Sequence, residues 1–189
     1  NGASLEKTFK LLDKFRSVNK ITPIVFMGYM NTFESLGAKS FMEKAVSSGL
    51  DGILIVDMPP EESTDFSLEA EKNKIDIIRL IAPTTNNDRA KKICSKCTGY
   101  VYYISVKGIT GAGNMNSDDV KEKVSDLRSL TDLPIAIGFG IKDSASASSV
   151  MDVADGIVAG SVFVDLIGEG KDIIKKVSDK TRELSEVLS

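Results

Sequence analysis

Three glycine-bearing corners are the parts of this 189-residue sequence best suited to chemistry. They are Ser105-Val106-Lys107-Gly108-Ile109-Thr110-Gly111-Ala112-Gly113, Gly138-Phe139-Gly140-Ile141 and Ala159-Gly160-Ser161-Val162. Each follows a short apolar run that reads as a strand. Glycine removes the Cβ that would keep an anion away from backbone N–H groups. A helix beginning beyond the corner adds unpaired N–H groups and a favourable dipole. Three such corners on successive strands point to a small molecule carrying a phosphate. No Walker-type Lys-Ser/Thr pair follows any of them, which argues against a nucleoside triphosphate. Lys107 reads equally as a phosphate partner and as a solvated loop lysine.

Other chemistry-bearing residues also fall at strand ends. Asp57 opens Asp57-Met58-Pro59-Pro60-Glu61-Glu62-Ser63. By position it is a catalytic carboxylate, or it orders its own loop before a proline-rich helix start; both readings stay open. Glu61 and Glu62 fall in a helix's first turn, where acidic groups favour the dipole. Tyr100 and Tyr102 share one strand face and Tyr103 takes the other. They suit ordinary packing or a flat apolar ligand. Tyr29 and Asn31, in Met27-Gly28-Tyr29-Met30-Asn31, lie just past a strand, where they meet a ligand or partner or cap a turn. Cys94 and Cys97 form a lone C-x-x-C. With no second cysteine pair and no histidine, they read as two reduced thiols one helical turn apart rather than a metal site. The absence of histidine also excludes a Ser-His or Cys-His nucleophile within this chain.

The elements that position these corners alternate. Apolar, largely β-branched or aromatic runs occur at residues 21–27, 52–56, 77–82, 100–104, 134–137 and 156–159. Short, nearly continuous hydrophobic runs are how strands buried on both faces of a parallel sheet read. Between them, residues 5–18, 35–48, 61–73, 87–96, 118–130, 144–153 and 172–188 carry helical spacing. Leu5, Phe9, Leu12 and Phe15 form one stripe; Leu36, Phe41, Met42, Ala45 and Val46 form another. Ser4 and Asp118 are expected caps. The order is one helix followed by six βα units, which implies a parallel sheet with right-handed crossovers.

An open doubly wound sheet usually keeps its phosphate loop after its first strand. A closed (β/α)8 barrel of the TIM type usually holds phosphate with the loops after strands seven and eight. The late glycine corners favour the barrel, with strands three to eight present and the first two βα units missing. Residues 1–189 then form a single barrel domain, incomplete at its N-terminus. Six strands alone leave two unpaired edges, so the missing strands are expected to be supplied. No internal repeat shows beyond the βα alternation.

Composition fits this reading. The apolar fraction is 42 % and the net charge is −3, with both signs interspersed. No basic footprint of a nucleic-acid binder is visible, and no apolar run reaches the roughly 18 residues that span a bilayer. The first residues show no charged-then-apolar leader. The chain is expected to begin partway into its gene product and to be cytoplasmic.

At these motifs the sequence resembles the tryptophan synthase α-subunit family. The resemblance rests on Met27-Gly28-Tyr29-Met30-Asn31, on Leu54-Ile55-Val56-Asp57-Met58-Pro59-Pro60-Glu61-Glu62-Ser63, and on Tyr100-Val101-Tyr102-Tyr103-Ile104-Ser105 through Gly108-Ile109-Thr110-Gly111-Ala112. It continues in Leu133-Pro134-Ile135-Ala136-Ile137-Gly138-Phe139-Gly140-Ile141 and Ala154-Asp155-Gly156-Ile157-Val158-Ala159-Gly160-Ser161. It implies a lyase that cleaves indole-3-glycerol phosphate to indole and glyceraldehyde 3-phosphate by a retro-aldol step, in tryptophan biosynthesis. It implies no cofactor or metal in this subunit, and a partner β-subunit carrying pyridoxal phosphate in an α2β2 complex. By the same resemblance, the amides of Gly111, Gly140, Gly160 and Ser161 hold phosphate. Met27, Leu54, Tyr102 and Phe139 bound the indole, and Thr110 closes over the site. Tyr29, Asn31, Asp57 and Pro59 face the partner. The family's catalytic Glu and Asp would both precede Asn1. The competing expectations are another phosphate-binding barrel, such as a phosphosugar isomerase or epimerase, and a non-catalytic module that activates a partner.

Overall fold

The computed structural model describes residues 2–61, 64–104, 117–138 and 140–187. The chain divides into two compact units, and each is described by itself. The first holds residues 1–79 and 95–99, and the second residues 80–94 and 100–189.

In the first unit, α1 (Leu5–Arg16) leads to β1 (Val25–Gly28), α2 (Met30–Glu34), α3 (Ala38–Ser48), β2 (Gly52–Ile55), α4 (Thr64–Lys72) and the first part of β3 (Asp76–Ile81). The strands pair in parallel, with Met27 beside Leu54 and Leu54 beside Ile78. Ser4 caps α1, its hydroxyl accepting from the Lys7 N–H at 3.3 Å. One face of these strands, through Phe26, Ile53, Ile55 and Ile77, meets the apolar sides of α1, α3 and α4. Phe41 is fully buried there, its ring 5.7 Å from Phe9, 5.1 Å from Phe33 and 5.9 Å from Phe66.

In the second unit, α5 (Asn87–Cys94), β4 (Val101–Ile104), α6 (Ser117–Arg128), β5 (Ile135–Gly138), α7 (Ser144–Met151), β6 (Gly156–Val158), α8 (Ser161–Gly168) and α9 (Ile173–Glu186) follow in order. Here too the strands pair in parallel, Tyr102 beside Ala136 and Gly138 beside Val158. Val101, Tyr103, Ile135 and Ile137 are buried on one face, and Val124, Leu127, Ala147 and Val150 of the helices are buried too. Tyr102, Ile104, Ala136 and Gly138 share the other face, as a two-residue period requires. Asp143 and Ser146 form a reciprocal capping box at the start of α7.

Both units use the same fastening at the N-terminal ends of their strands. In the first, the Asp51 N–H donates to the Ile24 carbonyl, and the Ile24 N–H donates back to the Asp51 carboxylate at 2.6 Å. In the second, the Asp155 N–H donates to the Ile135 carbonyl, and the Ile135 N–H returns to the Asp155 carboxylate at 2.7 Å. Each carboxylate also pairs with the arginine ending a helix: Arg16 of α1 at 2.5 Å and Arg128 of α6 at 3.0 Å. This recurrence extends the sequence reading, which found no repeat beyond the alternation. Its signal in the sequence is short: Asp51-Gly52-Ile53 and Asp155-Gly156-Ile157.

Several expected boundaries shift. The first strand begins at Val25 rather than 21, because the Asn19 carboxamide oxygen accepts from the Ile21 and Thr22 N–H groups and holds a turn there. Leu36 and Val46 are exposed instead of completing the α3 stripe, and Phe15 is only partly covered. The segment after Tyr29 is the short helix α2, and α8 intervenes between β6 and α9. Among the described residues no helix is long and apolar enough to cross a membrane.

Candidate functional site

Two of the three glycine corners are described, and both belong to the second unit. Register places them level: Gly138 and Val158 are partners, so Gly140 and Gly160 each stand two residues beyond one paired rung. Gly140 has φ +35°, where side-chain-bearing residues are rarely found. Among the described residues, a Cβ built on Gly140 or Gly160 meets nothing within 4 Å. Gly160 is the N-cap of α8, and Ser161, exposed, is its first residue.

Helix α8 is the feature the sequence reading lacked. The phosphate sites of barrels often combine the last two strand–helix loops with the N-terminus of a short extra helix. The early N–H groups of such a helix have no intrahelical acceptor. Here Phe163 and Val164 donate to the Gly160 carbonyl, which closes the first turn of α8. The signal available in the sequence was Val162-Phe163-Val164-Asp165-Leu166-Ile167, a second apolar run directly after Gly160-Ser161.

Tyr102 lies on the sheet face opposite the helix-covered core, half-buried, over Gly138. Burial pushes its phenol above the usual tyrosine range. Tyr103 points into the core instead. Its phenol is raised by burial first and by the nearby Asp119 carboxylate second. Tyr102 and Tyr103 thus lie on opposite faces of β4, as the sequence implied. Thr110 and Gly111, in the first corner, and Phe139 lie outside the described residues.

In the first unit, Met27 and Leu54 stand side by side on adjacent strands, on the face turned away from the phenylalanine core. Leu54 is buried whereas Met27 is 60 % exposed. Tyr29, Asn31 and Asp57 are exposed and Pro59 is half-buried. Two hydrogen bonds join their segments. The Val56 N–H donates to the Gly28 carbonyl at 2.9 Å. An Asp57 carboxylate oxygen accepts from the Met30 N–H, the first of α2, at 2.7 Å. Asp57 thus ties the loop after β2 to the start of α2.

Cys94 and Cys97 are both buried and share no disulfide, and burial raises the Cys94 thiol. Among the described residues no group of three or more His, Cys, Asp or Glu is placed to hold a metal. A cleft of about 690 Å³ in the first unit is lined by Ile75, Asp76, Ser67, Lys96 and Thr98 among others. It opens near the start of β3 and reaches Pro60 and Glu61 in the loop after β2.

One residue of the first unit escaped the sequence reading. Arg79 interrupts the apolar run of β3 and is only 3 % exposed. Its guanidinium donates to the Met58 carbonyl at 3.0 Å, the Lys96 carbonyl at 3.3 Å and the Ser67 hydroxyl at 3.4 Å. Burial lowers its affinity for the proton, and Cys97 and Glu61 oppose that effect. A charge in the middle of a buried strand was the signal.

Comparison with known proteins places this geometry among relatives. The sequence model of the family described as "Tryptophan synthase alpha chain" matches residues 1–188. A tryptophan synthase alpha chain from Halorhodospira halophila is 40 % identical over 99 % of this chain and 70 % of its own. One from Thioalkalivibrio sulfidiphilus is 45 % identical over 88 % of this chain and 62 % of its own. Among solved structures, the tryptophan synthase α2β2 complex from Pyrococcus furiosus matches with a TM-score of 0.89 and 33 % identity, over 98 % of this chain and 75 % of that one. A structure from Aquifex aeolicus matches with a TM-score of 0.88 and 31 % identity, over 100 % of this chain and 70 % of that one. The chain thus spans roughly three fifths to seven tenths of the curated relatives' length.

Proposed function

The chain belongs to the tryptophan synthase alpha chain family, and from that premise we propose that it is the part of a lyase subunit that binds indole-3-glycerol phosphate for retro-aldol cleavage to indole and glyceraldehyde 3-phosphate. The observation that carries this reading is the pair of level corners, Gly140 and Gly160-Ser161, where an added Cβ meets none of the described residues, joined to the start of α8.

Phosphate is proposed to rest against the amides of Gly140, Gly160 and Ser161, with Gly111 contributing from the loop after β4. A helix N-terminus favours an anion by about 0.3–1 kcal/mol at an exposed site. The remaining affinity comes from charge-assisted N–H bonds, which are roughly twice as strong as neutral ones. Tyr102 and Phe139, and Met27 and Leu54 on their own strands, bound the indole ring. Thr110 closes over the substrate with its loop, excluding water. Cleavage needs a proton delivered to the indole C3 and another removed from the glycerol hydroxyl. The two family carboxylates that do this are expected outside residues 1–189. Two further βα units are proposed to complete a TIM barrel in which β1 to β6 are strands three to eight, and to cover the exposed Met27.

The subunit is proposed to act in the cytoplasm with a tryptophan synthase beta chain that carries the pyridoxal phosphate, while this chain itself needs no cofactor. Tyr29, Asn31, Asp57 and Pro59 face that partner. Calorimetric titration of the full-length protein with an indole phosphate analogue tests the substrate. Saturable binding that inorganic phosphate competes away is expected, and no binding refutes the reading. Indole release on mixing with the beta chain tests the activity.

A further inference from the structure

We propose that Arg79 is a positioning residue for the partner-facing surface, holding residues 57–60 in the orientation that Asp57 then transmits to α2. The inference rests on the partner reading above and names the device behind it.

Every link lies within the first unit. Met58 has its side chain in the phenylalanine core, which fixes the depth of the loop after β2 but not the direction of its carbonyl. That carbonyl accepts from Arg79 Nη1 at 3.0 Å in a buried setting. Asp57 immediately precedes it and accepts the Met30 N–H at 2.7 Å. Met30 begins α2, whose N-cap is Tyr29 and whose second residue is Asn31. One buried guanidinium is therefore connected, through one peptide and one carboxylate, to all four candidate contact residues. The other Arg79 donors reach Lys96 at the end of the α5 segment and Ser67 on α4. The loop is thus referred to two further parts of the framework. Several acceptors in different directions suit a planar guanidinium and not an ammonium. A buried arginine in an apolar strand costs desolvation; here its bonds go largely to backbone carbonyls of loops, where they set geometry.

The test uses full-length Arg79→Met and Arg79→Lys, with Leu127→Ala, buried in the second unit, as a control matched for loss of Tm. Binding to the tryptophan synthase beta chain and hydrogen exchange at the Met30 amide are measured. Arg79→Met is expected to weaken partner binding at least tenfold and to speed Met30 exchange. Arg79→Lys should fall between it and the parent, and is the variant read if the Met form does not fold. The KM of the uncomplexed subunit should stay within twofold, while Leu127→Ala leaves partner affinity unchanged. Parental binding and exchange in both variants overturn the proposal, as does an equal loss of binding in Leu127→Ala. If the parent itself does not bind the beta chain, the partner reading fails, and Met30 exchange still decides whether Arg79 and α2 are linked.

Discussion

The phenol of Tyr102 lies directly across the α-carbon of Gly138: a Cβ added to Gly138 would coincide with its ring. The two are diagonal neighbours on one face, Tyr102 paired with Ala136 and Gly138 two residues further along β5. Only a residue without a side chain lets Tyr102 fold over the end of β5, where the Gly138-Phe139-Gly140 corner begins. The glycine is thus required by close approach, not by its backbone angles.

Gly138→Ala must displace that ring. Overpacking of this kind costs about 1–3 kcal/mol, read as a lower urea midpoint. Affinity for an indole phosphate analogue should fall as well, because the displaced phenol lies where the ligand is expected. In a Tyr102→Ala background, where the ring is gone, the added methyl should cost little further stability. A double-mutant cycle measures this as a coupling between contacting residues. Additive losses would refute the contact.

At Gly140 the constraint differs, since the backbone is at positive φ and an added Cβ meets none of the described residues within 4 Å. Valine there adds a β-branched side chain where phosphate is proposed to approach, in a conformation it tolerates poorly. Gly140→Val should lower phosphate-ligand affinity at least tenfold while far-UV circular dichroism stays parental. Unchanged affinity would remove this corner from the site.

How much of this was visible beforehand depended on the range of the interaction. Strands and helices were legible because parallel-sheet burial writes itself as local apolar runs, as at Gly52-Ile53-Leu54-Ile55. The glycine corners were legible because chain order and strand ends fix their level. Arg79, the Arg16–Asp51 and Arg128–Asp155 fastenings, and the Tyr102–Gly138 contact were not. Each depends on which residues become neighbours across a sheet or a loop, separated by up to 36 positions in the Tyr102–Gly138 case (138 − 102). Helix α8 was missed for another reason: it is short and carries a single charge, Asp165, where most other helices alternate apolar and charged positions.

Acid should loosen the second unit at a definable place. The Asp155 carboxyl is held below its ordinary range, chiefly by the Ile135 N–H and then by Arg128. A depressed carboxylate contributes stability above its unfolded value of roughly 3.9, and that stability is lost as pH falls through the folded value. The Tm difference between the parent and Asp155→Asn should therefore be constant above about pH 5 and shrink below about pH 4. A gap that persists unchanged at pH 2–3 would show that the charge is not what Asp155 contributes.

Loop closure predicts a separation between binding and turnover. Thr110→Val deletes a hydroxyl in the segment proposed to shut over bound substrate, leaving the amides of Gly140, Gly160 and Ser161 in place. In the complex with the beta chain, kcat should fall more than KM rises, because an interaction made only in the closed state is removed. An unchanged kcat contradicts the role of this loop.

Stability of the first unit should be separable from the phosphate site. Phe41 is fully buried among Phe9, Phe33 and Phe66, and truncating a core phenylalanine to alanine costs about 3–5 kcal/mol. Phe41→Ala should therefore lower the denaturant midpoint more than any corner substitution does. The corners at Gly140 and Gly160 belong to the second unit, whereas Phe9, Phe33, Phe41 and Phe66 belong to the first. Phosphate-ligand affinity per folded molecule, measured well below the unfolding transition, should accordingly stay within a few-fold of the parent. A loss of affinity as large as that of Gly140→Val would mean that the aromatic core itself sets the geometry of the anion site.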